Sequence, residues 1–379
     1  MLELDEAVSR ILSVLPVPVA EPVAIGQAYG RVLAASAHSP VPLPPFDNSA
    51  MDGYAVRAGD TASAGAQHPT RLRIVGKAAA GETFAGELAA GQCVRLFTGS
   101  PLPRGADAVV MQEDTRLEPG HLAEVLVLQP ARPWENVRLQ GEDIKAGTEI
   151  ASAGSVLGAG QVSLLAAAGL AVIQAGRRPG VALLATGSEL IEPGQPLGPG
   201  QIYESNRAGL APLVQRAGGV PRLLPLVPDT LAATRSALET AFRDCDLVVT
   251  SGGVSVGEMD FIKRAFADSG GELQFWKVAI KPGRPFVFGR LQGKFLFGLP
   301  GNPVSAMVTF LLLVRPALLR WQGATEVSLP AHPGVLAEPV ANPGPRRHFL
   351  RVRIDAAGNV RSAGAQASHM LSSLAAAGG

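Results

Sequence analysis

Val181-Ala182-Leu183-Leu184-Ala185 is an unbroken apolar run of strand length, and Thr186-Gly187-Ser188-Glu189-Leu190 follows it at once. A run without polar alternation suits a strand buried on both faces, as in a parallel sheet. Similar runs recur downstream at Leu223 to Val227, Leu247 to Thr250, Pro285 to Phe288 and Phe295 to Leu299. Helical patterns fill the gaps at 205–217, 229–243, 258–268 and 303–320. Asp229 reads as an N-cap, with Leu231, Leu238 and Phe242 lining one face of the helix that follows. This alternation predicts an open α/β sheet with right-handed crossovers over residues 177–326. Pro212 and Pro316 fall inside two of the expected helices.

The pattern changes on either side. Leu4, Ala7, Val8, Ile11, Leu12 and Leu15 repeat at helical spacing, and Pro16 and Pro18 end that helix. Residues 46–140 hold short β-like runs broken by Gly and Pro, among them Leu72 to Val75, Cys93 to Phe97, Ala108 to Gln112 and Ala123 to Leu128. A Gly-rich turn and a helix at Gln161 to Ala168 return the chain toward its first segment. The expected class is therefore α/β plus β and multidomain. That return could join residues 1–45 and 141–176 into one elongated discontinuous linker domain. Residues 46–140 form a small β-rich domain, 177–326 the central open α/β domain, and 327–379 a C-terminal β domain.

Composition excludes several classes. The 379 residues carry a formal net charge of +1 without a Lys/Arg block, so no nucleic-acid partner is expected. The two cysteines, Cys93 and Cys245, sit in or beside apolar runs, which predicts buried thiols in a reducing compartment. The six histidines lack zinc-ligand spacing. The acidic opening with Glu3, Asp5 and Glu6 predicts no signal peptide, hence a cytoplasmic location. The apolar run from Ala306 to Val314 stops at Arg315 and Pro316, which predicts no membrane span.

Ligands of open α/β sheets bind at the carboxyl ends of the strands, and three loops stand there. In Thr186 to Leu190, Gly187 permits close backbone approach and Glu189 puts a carboxylate at the rim; taken alone, these residues read better as an ordinary strand-to-helix turn with a capping acid. Thr250-Ser251-Gly252-Gly253-Val254-Ser255-Val256-Gly257-Glu258-Met259-Asp260 is a Gly-rich loop opening a helix, suited to an oxyanion, with Asp260 placed to hold Mg²⁺. Gly298 to Ala306 contains Pro300 and Gly301, with Asn302 as a cap and Pro303 starting a helix. If residues 277–281 are extended, Lys277 and Lys281 share a face near Arg284 and could bind an oxyanion. No Ser-His or Cys-His pair stands out. The set points to oxyanion or phosphate chemistry assisted by a divalent metal.

The strings PPFDNSAMDGYA at 44–55, FTGSPLP at 97–103, GEDI at 141–144, ATGSEL at 185–190, SGGVSVGEMDF at 251–261, KPGRP at 281–285 and GLPGNPVSA at 298–306 resemble, in order, the motifs of the MoeA family, which includes the E domain of gephyrin. The resemblance implies a central domain of the molybdopterin-binding fold, a dimerisation role for the elongated linker domain, and a homodimer whose sites lie between the α/β domain of one subunit and the β domain of the other. It implies insertion of molybdate into adenylylated molybdopterin, with Mg²⁺, releasing AMP and molybdenum cofactor. It also implies two kinds of partner, a molybdopterin adenylyltransferase and proteins of molybdoenzyme maturation.

By the same resemblance Asp52, Thr98 and Asp143 reach the site from the second subunit. Glu189, Asp229 and Asp260 form its acidic, metal-associated side. Ser251, Gly252, Gly253, Ser255, Lys277 and Lys281 bind oxyanions, Pro300 and Pro303 shape a loop, and Arg347 and Ser368 reach in from the last domain. The chain ends at Ser372-Ser373-Leu374 and an Ala/Gly tail, before the family's usual last strands, so a shortened final domain is expected. Two other functions fit parts of the sequence: a molybdopterin adenylyltransferase, which shares the Gly-Gly loop, and a non-catalytic scaffold like gephyrin.

Overall fold

The structure, a computed structural model, describes residues 1–253 and 261–377. Ser255 and Asp260 lie outside the described residues. The chain forms two compact units. One comprises residues 1–35, 152–159 and those from 172 onward; the other comprises 36–151 and 160–171.

The first unit is built on a six-stranded sheet in the order Val220–Leu223, Gly180–Ala185, Leu247–Ser251, Lys294–Leu299, Pro285–Leu291, Glu272–Lys277. The first four strands pair in parallel; Pro285–Leu291 runs against them, and Glu272–Lys277 pairs antiparallel to it. Side chains alternate between its faces with the period of two that a strand imposes. Val181, Leu183, Leu247 and Val249 enter a core closed by Ile11, Leu210, Val214, Phe310 and Leu318. Ala182, Leu184 and Val248 enter a second core under Leu238, Phe242, Ile262 and Phe266. With both faces covered, each inner strand must be apolar throughout, hence the unbroken runs. Truncating Leu183, which is fully buried, to Ala would cost about 2–5 kcal/mol.

Several expectations are corrected. The paired edge strand is Val220–Leu223, not Leu223 to Val227. An edge position tolerates Pro221, while Leu224 and Val227, past the regular strand, are buried in the second core and their N–H groups still donate to the Leu183 and Ala185 carbonyls. Helix Leu231–Asp244 is capped by Thr230, whose side chain accepts from the Ala233 N–H, rather than by Asp229. Residues 277–281 are not one strand: Lys277 ends Glu272–Lys277, the Ile280 N–H turns back to the Val278 carbonyl, and Lys281 belongs to the two-residue strand Ile280–Lys281. The two lysines therefore lose the shared face that a continuous strand would give.

Helix Pro303–Thr309 continues through a wide π turn, Phe310–Val314, into Arg315–Trp321. The π turn accommodates Pro316, which has no N–H to donate to the preceding turn. Arg315 and Pro316 thus do not end the helix. Its 19 residues, with mean hydropathy 1.5, are long and apolar enough to cross a membrane. The stretch is instead 67% buried within the protein, with Phe310, Leu313, Val314, Ala317 and Leu318 in the first core. The same unit contains helix Leu4–Ser13, the antiparallel pair Ala20–Ala24 with Val172–Gly176, and a three-stranded sheet of Val335–Leu336, Asn359–Ser362 and Val352–Ile354.

The second unit is also six-stranded, in the order Ala108–Met111, Gly53–Val56, Gln92–Leu96, Thr70–Ala78, Glu124–Val127, Thr115–Arg116. Tyr54, Val56, Leu72, Cys93 and Val125 pack on one face, and Ala55, Val94, Leu96 and Val109 on the other.

Candidate functional site

Three parallel strands, Gly180–Ala185, Leu247–Ser251 and Lys294–Leu299, end on one edge of the first unit's sheet. Their loops close a cavity of about 720 Å³, lined by Thr186, Gly187, Glu189, Asp229, Ser251, Gly252, Gly253, Pro300, Gly301, Asn302 and Pro303, among others. The edge of an open α/β sheet is where such a site belongs.

Two glycines let the middle loop turn. Gly252 and Gly253 have φ of 88° and 66°, the left-handed region. A Cβ on Gly252 would lie 2.6 Å from the Thr186 carbonyl oxygen. The adjoining loop packs on it at ordinary contact distance, an ideal Cβ on Gly301 standing 3.6 Å from the Gly252 Cα.

The acidic side is held by the first loop. The Ser188 N–H donates to Asp229 Oδ2 at 3.0 Å, and the Asp229 N–H donates to Ser188 Oγ at 3.2 Å. This reciprocal pair explains why Asp229 does not cap the next helix. The Glu189 carboxylate folds back over Gly187, where a Cβ would sit 2.7 Å from Oε2. Below the cavity Arg207 bridges Glu204 (Nε to Oε2, 2.9 Å) and Glu192 (Nη2 to Oε1, 2.7 Å). Arg207 and Glu204 are both almost wholly buried. A buried arginine with two carboxylate partners fixes the start of helix Asn206–Arg216 in place.

Sequence reasoning missed Asn206 as a site residue. Its Nδ2 donates to Ser251 Oγ at 2.6 Å and to the Gly301 carbonyl at 2.7 Å. Its Oδ1, like Thr186 Oγ1, is buried without a partner among the described residues. A Ser-Asn pair ahead of an apolar helix reads as capping chemistry, so no local signal marks this role. Asn302 was expected to cap the helix at Pro303. It makes no side-chain cap and instead donates from Nδ2 to Ser368 Oγ at 3.0 Å. The Val304 N–H also donates to the Ser368 carbonyl. Ser368 thus supports the third loop, while its neighbour His369 lines the cavity.

Of the expected residues, Lys277, Lys281 and Arg347 do not line the cavity. Neither lysine pairs with a carboxylate among the described residues. Arg347 grips both oxygens of Asp5, at 3.1 and 3.0 Å. That bidentate grip holds the Asp5 carboxyl below its ordinary range. His348, next along the strand, is pushed down by burial and then by Lys281 and the neighbouring arginines.

In the second unit Asp52 and Thr98 are joined directly. The Thr98 N–H and hydroxyl both donate to Asp52 Oδ1, each at 2.8 Å. Around them Arg95 lies over the rings of Tyr54 and Phe97, at 4.9 and 5.3 Å, and Lys77 lies over Phe97 at 5.0 Å. Asp143 is exposed in a turn closed by its N–H to the Leu43 carbonyl. Both cysteines are buried and free, and burial pushes the Cys93 thiol up to about 12.

Comparison with known proteins covers nearly the whole chain. Residues 2–169 match the MoeA N-terminal region (domain I and II), residues 182–320 a probable molybdopterin binding domain, and residues 333–379 the MoeA C-terminal region (domain IV). The molybdopterin molybdenumtransferase of Haemophilus influenzae is 40% identical over 99% of this chain and 92% of its own. That of Bacillus subtilis is 34% identical over 93% of this chain and 82% of its own. The crystal structure of the molybdopterin biosynthesis MoeA protein from Pyrococcus horikoshii OT3 superimposes with a TM-score of 0.80 at 32% identity, covering 100% of this chain and 93% of that one.

Proposed function

Because the chain belongs to the MoeA family of molybdopterin molybdenumtransferases and shares its role in molybdenum cofactor biosynthesis, we propose that the cavity at the sheet edge takes adenylylated molybdopterin and molybdate and releases AMP and molybdenum cofactor. The observation that carries this reading is the division of the cavity wall. Carboxylates stand on one side, at Glu189 and Asp229. The Ser251-Gly252-Gly253 turn, with the Ser251 hydroxyl and the Gly253 N–H, stands on the other, beside the loop from Pro300 to Pro303.

The donor set suits Mg²⁺, a hard cation that prefers oxygen ligands. Glu189 and Asp229 would hold it, joined by Asp260. Bound there it would neutralise and polarise phosphate oxygens. The chain's own residues do the rest. The Gly252 N–H is held by the Leu299 carbonyl, which leaves the Gly253 N–H to face an oxyanion; the loop from Pro300 to Pro303 shapes the wall, and Ser368 braces that loop through Asn302. Lys277 and Lys281 lie outside the cavity lining and pair with no carboxylate among the described residues; the family resemblance assigns their positive charge to molybdate or the pterin phosphate. Arg347 is left out of this reading because Asp5 holds it.

The working form is a homodimer in which Asp52, Thr98 and Asp143 of one subunit complete the cavity of the other. A molybdopterin adenylyltransferase would supply its substrate, and molybdoenzyme-maturation proteins would receive its product. A cytoplasmic location is supported by the two unpaired thiols.

The test is AMP release from adenylylated molybdopterin with and without molybdate and Mg²⁺, coupled to reactivation of a cofactor-free molybdoenzyme. AMP release that depends on both, with reactivation, is the expected result. ATP consumption with pyrophosphate release would make the chain an adenylyltransferase instead. A folded protein that releases no AMP would favour the scaffold.

A further inference from the structure

One carboxamide ties three parts of the cavity together. Asn206 opens helix Asn206–Arg216, and its Nδ2 reaches both the Ser251 hydroxyl, at 2.6 Å, and the Gly301 carbonyl, at 2.7 Å. The Gly301 carbonyl can only accept, so the amide nitrogen must face it. That orientation makes Ser251 Oγ an acceptor from Asn206. A serine hydroxyl has a single hydrogen to give. With Asn206 donating to its oxygen, the Ser251 hydrogen is released from that contact, and it meets no acceptor among the described residues. Ser251 is 2% exposed and lines the cavity.

We propose that Asn206 is a positioning residue for oxyanion binding: it orients the Ser251 hydroxyl as a donor into the cavity and locks the Ser251-Gly252-Gly253 turn against the Pro300-Gly301-Asn302-Pro303 loop. The inference rests on the oxyanion reading of the cavity given above. The geometry explains why an amide is needed. A carboxylate in the same place would accept the Ser251 hydrogen and turn it away from the ligand. It would also oppose the Gly301 carbonyl. Arg207, the next residue, is anchored in turn by Glu204 and Glu192, so the helix start that carries Asn206 is itself fixed.

The test measures inorganic pyrophosphate and molybdate binding to the full chain by calorimetry, in wild type, Asn206→Ala, Asn206→Asp, Ser251→Ala and the Asn206→Ala/Ser251→Ala double variant. Thermal melting checks that each is folded. Each alanine variant is expected to weaken binding roughly tenfold, the worth of one hydrogen bond to a charged group. The double variant should be no weaker than the worse single one, because Asn206 acts through Ser251. Asn206→Asp, although of the same shape, should bind no better than Asn206→Ala. Additive losses in the double variant would show Asn206 acting independently of Ser251, and wild-type affinity in Asn206→Asp would leave it a space-filling residue; either result overturns the proposal. Wild-type protein that binds neither anion would instead bring down the oxyanion reading of the cavity, and this inference with it.

Discussion

Thr98 offers both its backbone N–H and its hydroxyl to a single oxygen of Asp52, each at 2.8 Å. The backbone bond first, and the hydroxyl bond second, hold the Asp52 carboxyl below its ordinary 3.8. For a depressed carboxyl, the stabilisation is fully present above the ordinary value and is lost as pH falls through the lower folded one. At neutral pH Asp52 is therefore ionised with or without Thr98. Thr98→Val removes the hydroxyl bond and keeps the backbone one. In an NMR titration the Asp52 carboxyl should move up toward 3.8. If Asp52 acts in turnover, kcat/KM should fall about tenfold through lost orientation, with the pH–rate profile above pH 5 in place. An acid limb shifted into the neutral range would mean that Thr98 controls ionisation instead.

The Gly252 turn makes a second prediction. Its φ is 88°, and an added Cβ would stand 2.6 Å from the Thr186 carbonyl oxygen and 3.3 Å from Thr186 Oγ1. The Thr186 N–H is bonded to the Ser251 carbonyl, and the strand before it lies inside the sheet, so the backbone cannot simply step aside. Gly252→Ala should cost about 1–3 kcal/mol and weaken pyrophosphate binding. Thermal melting and calorimetry measure the two effects. A variant of unchanged melting temperature and affinity would show the turn to be adaptable.

The difference between what could and could not be read from sequence follows from the range of each signal. Thr186 to Glu189, Ser251 to Gly253 and Pro300 to Pro303 were legible because glycine or proline directly follows an apolar run, and parallel strands bring such ends to one edge. The helix expected over 303–320 does run past Pro316 to Trp321, but the π turn that accommodates the proline leaves no residue pattern of its own. Asn302 looked like a cap, yet its amide goes to Ser368, 66 residues away. Asn206 is bonded to Ser251 and Gly301, 45 and 95 residues away. Periodicity and local spacing carry nothing at that range. The shared face of Lys277 and Lys281 failed for a local reason, the tight turn at Val278 to Ile280.

Arg347 separates contact geometry from family resemblance. Its guanidinium is committed to Asp5 on the surface, with side chains 52% and 80% exposed. An exposed pair of this kind contributes no more than about 1 kcal/mol. Arg347→Ala should therefore lower stability only slightly and leave affinity for adenylylated molybdopterin within about twofold. Asp5→Ala should behave likewise. A tenfold loss in Arg347→Ala alone, with Asp5→Ala unchanged or tighter, would mean that the arginine leaves Asp5 to meet the ligand.

The Arg177–Asp246 pair sets acid stability at the base of the sheet, away from the chemistry. Arg177 reaches both carboxylate oxygens, at 3.0 and 2.9 Å, and the Gly180 N–H adds a third bond at 2.8 Å. Burial alone would raise the Asp246 carboxyl, but the Arg177 bonds and the Gly180 N–H outweigh it, and the net direction is down. The sign follows. Above the ordinary 3.8 the pair's stabilisation is complete, and it is lost as pH falls through the lower folded value. Asp246→Asn keeps the shape and removes the charge. It should cost about 1–3 kcal/mol at pH 7. Its melting temperature should also fall less steeply than that of wild type between pH 5 and pH 3, because the variant has no carboxyl there to protonate. Parallel slopes for the two proteins would place the acid sensitivity of this unit on other carboxylates, and Arg177, stacked 5.6 Å over Trp321, would then act chiefly by packing.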